Sequence, residues 1–188
     1  MTAIFLDRDG VLNENRSDYV KAWGEFRWLP GALDALVDLG RIGVPIIVVT
    51  NQSMVGRGIA SASCLDAIHR RMLRRVRHRG GRIDDVLCCL HTPTDCCNCR
   101  KPEPGLFRAA AQRHNIDLAH SVFVGDAVSD YQAALNAGTR YIQVRTGRGL
   151  QDAALISQRD PNVAITAGLV EAARVCRQLL IAPEVPAA

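Results

Sequence analysis

An α/β fold built on a doubly wound, Rossmann-like parallel sheet is predicted for this 188-residue chain by three observations. Short, continuous apolar runs recur along it, of the kind that suit strands covered on both faces. Segments with apolar residues at helical spacing separate them, which implies right-handed βαβ crossovers. The ends of several runs carry carboxylate, hydroxyl, amide or lysine side chains, and strand ends are where such sheets gather their working residues.

The elements follow in order. AIFL (3–6) is the first strand, and a helix over about 30–41 is opened by Pro30, whose fixed φ suits a first helical turn. VPIIVV (44–49) is the second strand. The next helix, about 61–78, takes Ser61 or Ser63 as its N-cap and repeats Leu65, Ile68, Met72 and Val76 on one face. DVLCCL (85–90) and SVFVG (121–125) are further strands, separated by a helix over about 104–114. A helix over about 129–137, ended by Gly138, leads to the strand RYIQV (140–144). From residue 150 onward one helix, about 166–181, is predicted before a Pro/Ala-rich end that should fray. No linker divides the chain, so one domain spanning 1–188 is expected, with its core over about 3–149. Neither the segment between Leu12 and the second strand nor that between Thr50 and Lys101 has room for a folded cap domain.

With 48% apolar and 22% charged residues, the composition is that of an ordinary globular protein. Much of the basic excess behind the net charge of +4 lies in HRRMLRRVRHRGGR (69–82). The arginines there fall mainly opposite the apolar stripe and no aromatic residue interleaves with them, so a solvated helix face is expected and no nucleic-acid partner. No apolar run approaches the ~20 residues of a membrane span. MTAIFLDRDG lacks the pattern of a signal peptide. A cytoplasmic monomer with no membrane partner is expected, in a compartment where clustered thiols favour metal binding over disulfides.

Asp7 and Asp9 follow the first strand. Two apart in an extended segment, they project to one side, where their repulsion calls for a cation or a shared proton. Mg²⁺, which prefers oxygen ligands and often joins a substrate phosphate, is the natural partner. Thr50, Asn51 and Gln52 end the second strand with a hydroxyl, amides and free N–H groups able to cradle an oxyanion. Asp126 follows Gly125 off the fourth strand, and Asp130 stands near the next helix start. With Lys101 these residues make a site suited to phosphoryl transfer: a carboxylate can be the nucleophile, a metal neutralises phosphoryl charge, and a lysine acts as a point charge on phosphate oxygens.

DRDGVLN, TNQS, RKPEPG and GDAVSD occur in the order and spacing of the haloacid dehalogenase-like phosphatase superfamily, which the chain resembles from about residue 3 to about 149. Within it the D-glycero-D-manno-heptose 1,7-bisphosphate 7-phosphatase group is the most similar. Histidinol-phosphate phosphatases share most of these motifs, and nucleic-acid 3′-phosphatases share Thr-Asn-Gln; a zinc-binding module with a relic active site is the rival from another class. The resemblance implies a haloacid dehalogenase fold and removal of the C7 phosphate of a heptose bisphosphate. Asp7 would be the nucleophile, and Asp9 the acid and later the base, a dual role that asks for a raised pKa. Mg²⁺ would take Asp7, the Asp9 main-chain carbonyl and Asp126. Thr50, Asn51 and Lys101 would hold the phosphoryl group, and Asp130 would orient Lys101 or the metal shell.

CCLHTPTDCCNCRKPEPG (88–105) holds five of the seven cysteines. Cys89 and His91 share one side of an extended segment, and Cys97 and Cys99 are likewise two apart. Cys-x-His followed by Cys-x-Cys supplies the four ligands of a closed, structural Zn²⁺ site, as the resemblance also implies. Cys88 and Cys96 are then surplus, and the zinc ties down the loop that delivers Arg100 and Lys101. The open site would be walled by residues 14–28 and the zinc loop, with sugar contacts from Asn15, Arg16, Ser17 and Asp18 and further contacts from Gln52, Ser53, Arg57 and Arg100. Trp23, Phe26 and Trp28 would pack the loop. Ala127 departs from the Lys, Arg or Ser frequent in the family, which removes one substrate contact.

Overall fold

The structure, a computed structural model, describes residues 1–181; the Pro/Ala-rich end predicted to fray lies outside the described residues. Strands β1 (Ile4–Leu6), β2 (Ile46–Asn51), β3 (Asp85–Cys89), β4 (Val122–Gly125), β5 (Arg140–Val144) and β6 (Ala164–Thr166) form one sheet in the order β3-β2-β1-β4-β5-β6. Every pairing is parallel. Alternation splits the strands between two cores: Ile4, Leu6, Ile46, Val48 and Val124 face one, whereas Phe5, Ile47, Val49 and Phe123 face the other. Helices α1 (Ala32–Gly40), α2 (Ala62–His78) and α6 (Leu169–Ile181) cover the first core. The second lies under α3 (Gly105–His114), α4 (Val128–Ala137) and α5 (Gly149–Arg159). The chain reverses its winding between β1 and β4, which opens a crevice at their carboxyl ends. Asp7 and Asp126 stand there.

The elements up to β5 agree with the sequence-based expectations within a few residues. Ser61 is the N-cap of α2, its hydroxyl accepting from Cys64 N at 3.2 Å. The arginines of α2 are exposed, but His69, inside the same basic run, is buried beside the apolar stripe. Pro30 precedes α1 instead of lying within it, because Gly31, in the left-handed region at φ +73°, is the N-cap. The tail differs from expectation. It adds α5 and β6 and starts the last helix at Leu169, since Ala164–Thr166 extend the sheet beside β5. α5 carries a thin apolar stripe, with Ala153 and Ile156 buried but Leu150 and Leu155 exposed, so its sequence shows little helical periodicity. Trp23 and Trp28 each pack against the buried Phe26 with ring centroids 5.0 Å apart, as predicted for residues that shape the 14–28 segment. No helix among the described residues is long and apolar enough to cross a membrane.

Candidate active site

β1 ends at Leu6, and the next residues turn their polar groups into the crevice. Lys101, delivered by the loop after β3, is buried with Nζ 2.7 Å from Asp7 Oδ1 and 2.8 Å from Asp130 Oδ1. It also donates to Val49 O at 3.1 Å. The backbone around it is fixed by Asn51, whose Nδ2 donates to Lys101 O at 3.0 Å while its Oδ1 accepts from Lys101 N at 3.1 Å. Asp130 has a second duty at the start of α4, where Oδ2 accepts from the N–H groups of Asp126 and Ala127 at 3.1 and 3.3 Å. This is the orienting position expected for Asp130.

Asp7, Asp126 and Asp130 bring carboxylate oxygens within 4.8 Å of one another, all buried. Three carboxylates against one lysine leave two excess negative charges in a site shielded from water. Burial, reinforced by the neighbouring carboxylates, pushes Asp7 up to about 7 and Asp126 up to about 8. Burial works to lower Lys101, but Asp130 and Asp7 outweigh it and hold the amine above its ordinary value. A divalent cation offsets this imbalance, and the oxygen-only donors suit Mg²⁺. The surrounding backbone leaves room for the Asp126 carboxylate: Gly10 at φ +88° and Gly147 at φ +60° both lie where a Cβ would run into it. Arg148 N donates to Asp126 Oδ2 at 2.7 Å, and Thr146 Oγ1 donates to Gly10 O at 2.6 Å.

Asp9 lies in an opposite environment. Arg8 Nη2 donates to both its oxygens at 2.9 and 2.8 Å, Asn13 Nδ2 donates at 2.8 Å, and Gln52 Nε2 donates at 2.7 Å. Burial favours the neutral form, but the Arg8 charge and these hydrogen bonds outweigh it and hold Asp9 below the ordinary carboxylate value. This corrects the expectation of a raised value. Arg8 is the reason, and it was absent from the predicted site.

One cavity is lined by Asp7, Asp9, Thr50, Lys101, Asp126 and Asp130, with Asn15, Arg16, Asn51, Gln52 and Arg100 around them. The structure therefore gathers most of the predicted residues but uses some of them differently. The amides of Asn51 and Gln52 are taken up by Lys101 and Asp9. Ser53 is buried off the cavity, 3.2 Å from Tyr19 Oη. Asp18 pairs with Arg16 and Lys21 at 2.9 and 2.6 Å. Ser17, Asp18, Ser53 and Arg57 do not line the cavity, whereas Arg8, Tyr19, Ser129 and Arg148, which were not predicted, do. Arg148 lies in the connection after β5, at the N-cap of α5, and the positional rule covers that strand end.

Cys89, His91, Cys97 and Cys99 bring one ligand atom each within 4.8 Å of the others. Successive separations are 3.6 Å for Cys89 Sγ–His91 Nδ1, 3.6 Å for Cys89 Sγ–Cys97 Sγ, 3.5 Å for Cys97 Sγ–Cys99 Sγ and 3.3 Å for His91 Nδ1–Cys99 Sγ. A tetrahedron with Zn–S bonds of about 2.3 Å spaces its sulfurs by roughly 3.8 Å, so the set fits zinc. Cys88 and Cys96 stay outside the cluster, as expected. Arg100 joins the two sites, since it lines the cavity and donates to His91 O at 3.3 Å.

The winding of the sheet and the acid–lysine constellation at its switch point are those of haloacid dehalogenase-like hydrolases, and the HAD-hydrolase-like family model matches residues 98–172. The D-glycero-beta-D-manno-heptose-1,7-bisphosphate 7-phosphatase of Bordetella bronchiseptica is 39% identical over 184 residues, covering 98% of this chain and 97% of that protein. The D-glycero-alpha-D-manno-heptose-1,7-bisphosphate 7-phosphatase of Mycobacterium bovis is 43% identical over 135 residues, 71% of each chain. The crystal structure of the B. bronchiseptica D,D-heptose 1,7-bisphosphate phosphatase, complexed with magnesium and phosphate, matches with a TM-score of 0.88 and 38% identity, covering 95% of this chain and 99% of that one. The chain belongs to the heptose-1,7-bisphosphate 7-phosphatase family of haloacid dehalogenase-like hydrolases.

Proposed function

We propose that this chain is a Mg²⁺-dependent phosphatase that removes the C7 phosphate of D-glycero-D-manno-heptose 1,7-bisphosphate through an aspartyl-phosphate on Asp7. The observation that carries the reading is Lys101 Nζ, buried between Asp7 and Asp130 beside Asp126 in a chain of this family. Mg²⁺ held by Asp7, Asp126 and the Asp9 main-chain carbonyl would neutralise phosphoryl charge. The Asp7 carboxylate attacks phosphorus while Lys101 and Thr50 hold the phosphoryl oxygens. The bond from phosphorus to O7 breaks, and the departing oxygen takes a proton from Asp9. Water then attacks the aspartyl-phosphate, gives its proton to Asp9 and releases phosphate, which restores Asp7. Positioning and charge are the main things such a site supplies.

Arg100 and Arg16 on the cavity wall suit the second phosphate, since guanidinium forks match phosphate oxygens. Cys89, His91, Cys97 and Cys99 would hold a structural Zn²⁺, because a set of four protein ligands leaves no open position for catalysis. The zinc fastens the loop that carries Arg100 and Lys101. Phosphate release should be measured over both heptose bisphosphate anomers, heptose 7-phosphate, histidinol phosphate and a 3′-phosphorylated oligonucleotide. A heptose bisphosphate should give the highest kcat/KM. More efficient hydrolysis of histidinol phosphate, whose remote end is cationic, would overturn the assignment.

A further inference from the structure

Arg8 is wholly buried, and among the described residues its charge meets only one carboxylate at ion-pair distance, that of Asp9 at 2.8 Å. Its Nη1 lies 3.2 Å from Nε2 of the buried His69 on α2. Its Nε has no hydrogen-bond partner among the described residues. A buried guanidinium with an unpaired donor is costly, and an apolar side chain of similar volume would serve the packing better. What the arginine does satisfy is Asp9, whose two oxygens both accept from Nη2. His69 in turn supplies the acceptor for Nη1. A guanidinium cannot accept, so Nε2 must, and this puts the ring proton on Nδ1. Burial, then the charge of Arg8, drive the His69 pKa down to about 3, with Asp9 opposing, so this acceptor persists at neutral pH.

We propose that His69 and Arg8 are positioning residues for the acid–base carboxylate: His69 fixes the plane of the Arg8 guanidinium, and the guanidinium fixes both oxygens of Asp9. The inference rests on the role given to Asp9 in the proposed function. Asn13 and Gln52 hold the same carboxylate from the active-site loops. Arg8 and His69 connect it to α2, one of the helices that cover the sheet. The acid–base group is thereby referenced to the rigid core as well as to loops. General acid catalysis supplies about 10²–10⁴ in rate and depends on hydrogen-bond-range placement of the proton.

The test exploits the leaving group. A sugar oxygen leaves poorly without a proton, whereas 4-nitrophenolate leaves without one. kcat/KM reports only the steps through departure of the leaving group and not the later hydrolysis of the aspartyl-phosphate that both substrates share, so misplacing the acid lowers kcat/KM only for the first. His69→Leu, which suits the apolar face around Leu65, Met72 and Val76, should lower kcat/KM on heptose bisphosphate at least tenfold. Its zinc content and its kcat/KM on 4-nitrophenyl phosphate should stay within about twofold. His69→Gln, which keeps an acceptor, should recover most of the loss. An equal fall in kcat/KM on both substrates, or no fall, would overturn the proposal. Should His69→Leu not fold, Arg8→Lys, which keeps the cation but loses the fork, must show the same contrast between substrates or the proposal fails. Asp9→Asn is the control for the underlying reading. If it shows the contrast and the His69 and Arg8 variants do not, this inference falls and the function stands; if it lowers kcat/KM alike on both substrates, the acid role of Asp9 itself is wrong.

Discussion

His69 makes an acid-range stability prediction that can be worked out in numbers. Its ordinary pKa is 6.5, and burial followed by the Arg8 charge brings it to about 3 in the folded chain. Between these values the unfolded chain binds a proton that the folded chain refuses. Stability therefore rises with pH across this window and is lost on acidification. Each pH unit well inside it is worth about 1.4 kcal/mol. From pH 6.5 to 4.5, allowing for the half-protonated unfolded residue at the start, the loss comes to about 2 kcal/mol. Urea unfolding of the parent and of His69→Leu at both pH values measures it. The other titrating groups, the cysteines and buried carboxylates included, are common to the two chains, so subtracting their pH effects isolates His69. A constant offset between variant and parent, from loss of the Arg8 contact, leaves the comparison unaffected. Parallel pH dependences would show that His69 keeps its ordinary pKa in the fold, and the account of a neutral acceptor beneath Arg8 would be refuted.

Asp7→Asn should abolish turnover while leaving zinc content and the cooperative unfolding transition unchanged; activity within tenfold of the parent would rule out Asp7 as nucleophile. Gly10→Ala forces a side chain to φ +88° and into the Asp126 carboxylate; it should cost roughly 1–3 kcal/mol of stability and raise the Mg²⁺ concentration needed for half-maximal turnover, read by melting and by Mg²⁺ titration respectively. Elemental analysis should find one zinc per chain, and Cys97→Ser or Cys99→Ser should lose it; full retention in both would point to Cys88 or Cys96 as a ligand. Arg100→Ala should cost ~1.5–3 kcal/mol in kcat/KM for the bisphosphate, about tenfold or more, and narrow its advantage over heptose 7-phosphate; an unchanged ratio would place the second phosphate elsewhere.

Much of the fold was legible because its strands are continuous apolar runs, a signature of sheets buried on both faces. The site was legible for a related reason: Asp7, Thr50 and Asp126 each come directly after such a run. What escaped notice was weakly patterned. β6 is three residues long and only partly buried, and the stripe of α5 is blurred by exposed leucines. Without α5 the turn that brings Arg148 to the cavity had no context. Arg8 left a readable trace, since it lies between two site aspartates at the end of a strand covered on both faces. Buried there, its guanidinium needs an acceptor, and the neighbouring Asp9 carboxylate is the one at hand. His69 shared the spacing of Leu65, Met72 and Val76 but stood among arginines, and the charge of that run obscured its apolar register.

Asp7 and Asp9 show how two carboxylates two residues apart can be given different tasks by their surroundings. Asp7 is pushed up by burial, with Asp130 and Asp9 adding to it against Lys101, while Asp9 is gripped by Arg8, Asn13 and Gln52 and is pulled down. Without the cation and the substrate, the two shifts run opposite to what an ionised nucleophile and a protonated acid require. The phosphorylated substrate itself alters the balance. A phosphate dianion beside Asp9 is a like charge and raises the pKa of that carboxyl, against the pull of Arg8. A divalent cation shared with Asp7 favours the ionised form of the nucleophile. Both changes act in the direction the mechanism needs, and both accompany binding. The low pKa set by Arg8 then has a use after the first step, because a carboxyl that readily gives up its proton to the sugar oxygen returns as an ionised base for the attacking water. One side chain can serve both half-reactions only if its environment keeps its proton affinity between the two extremes. In this chain Arg8 lowers that affinity and the substrate phosphate raises it.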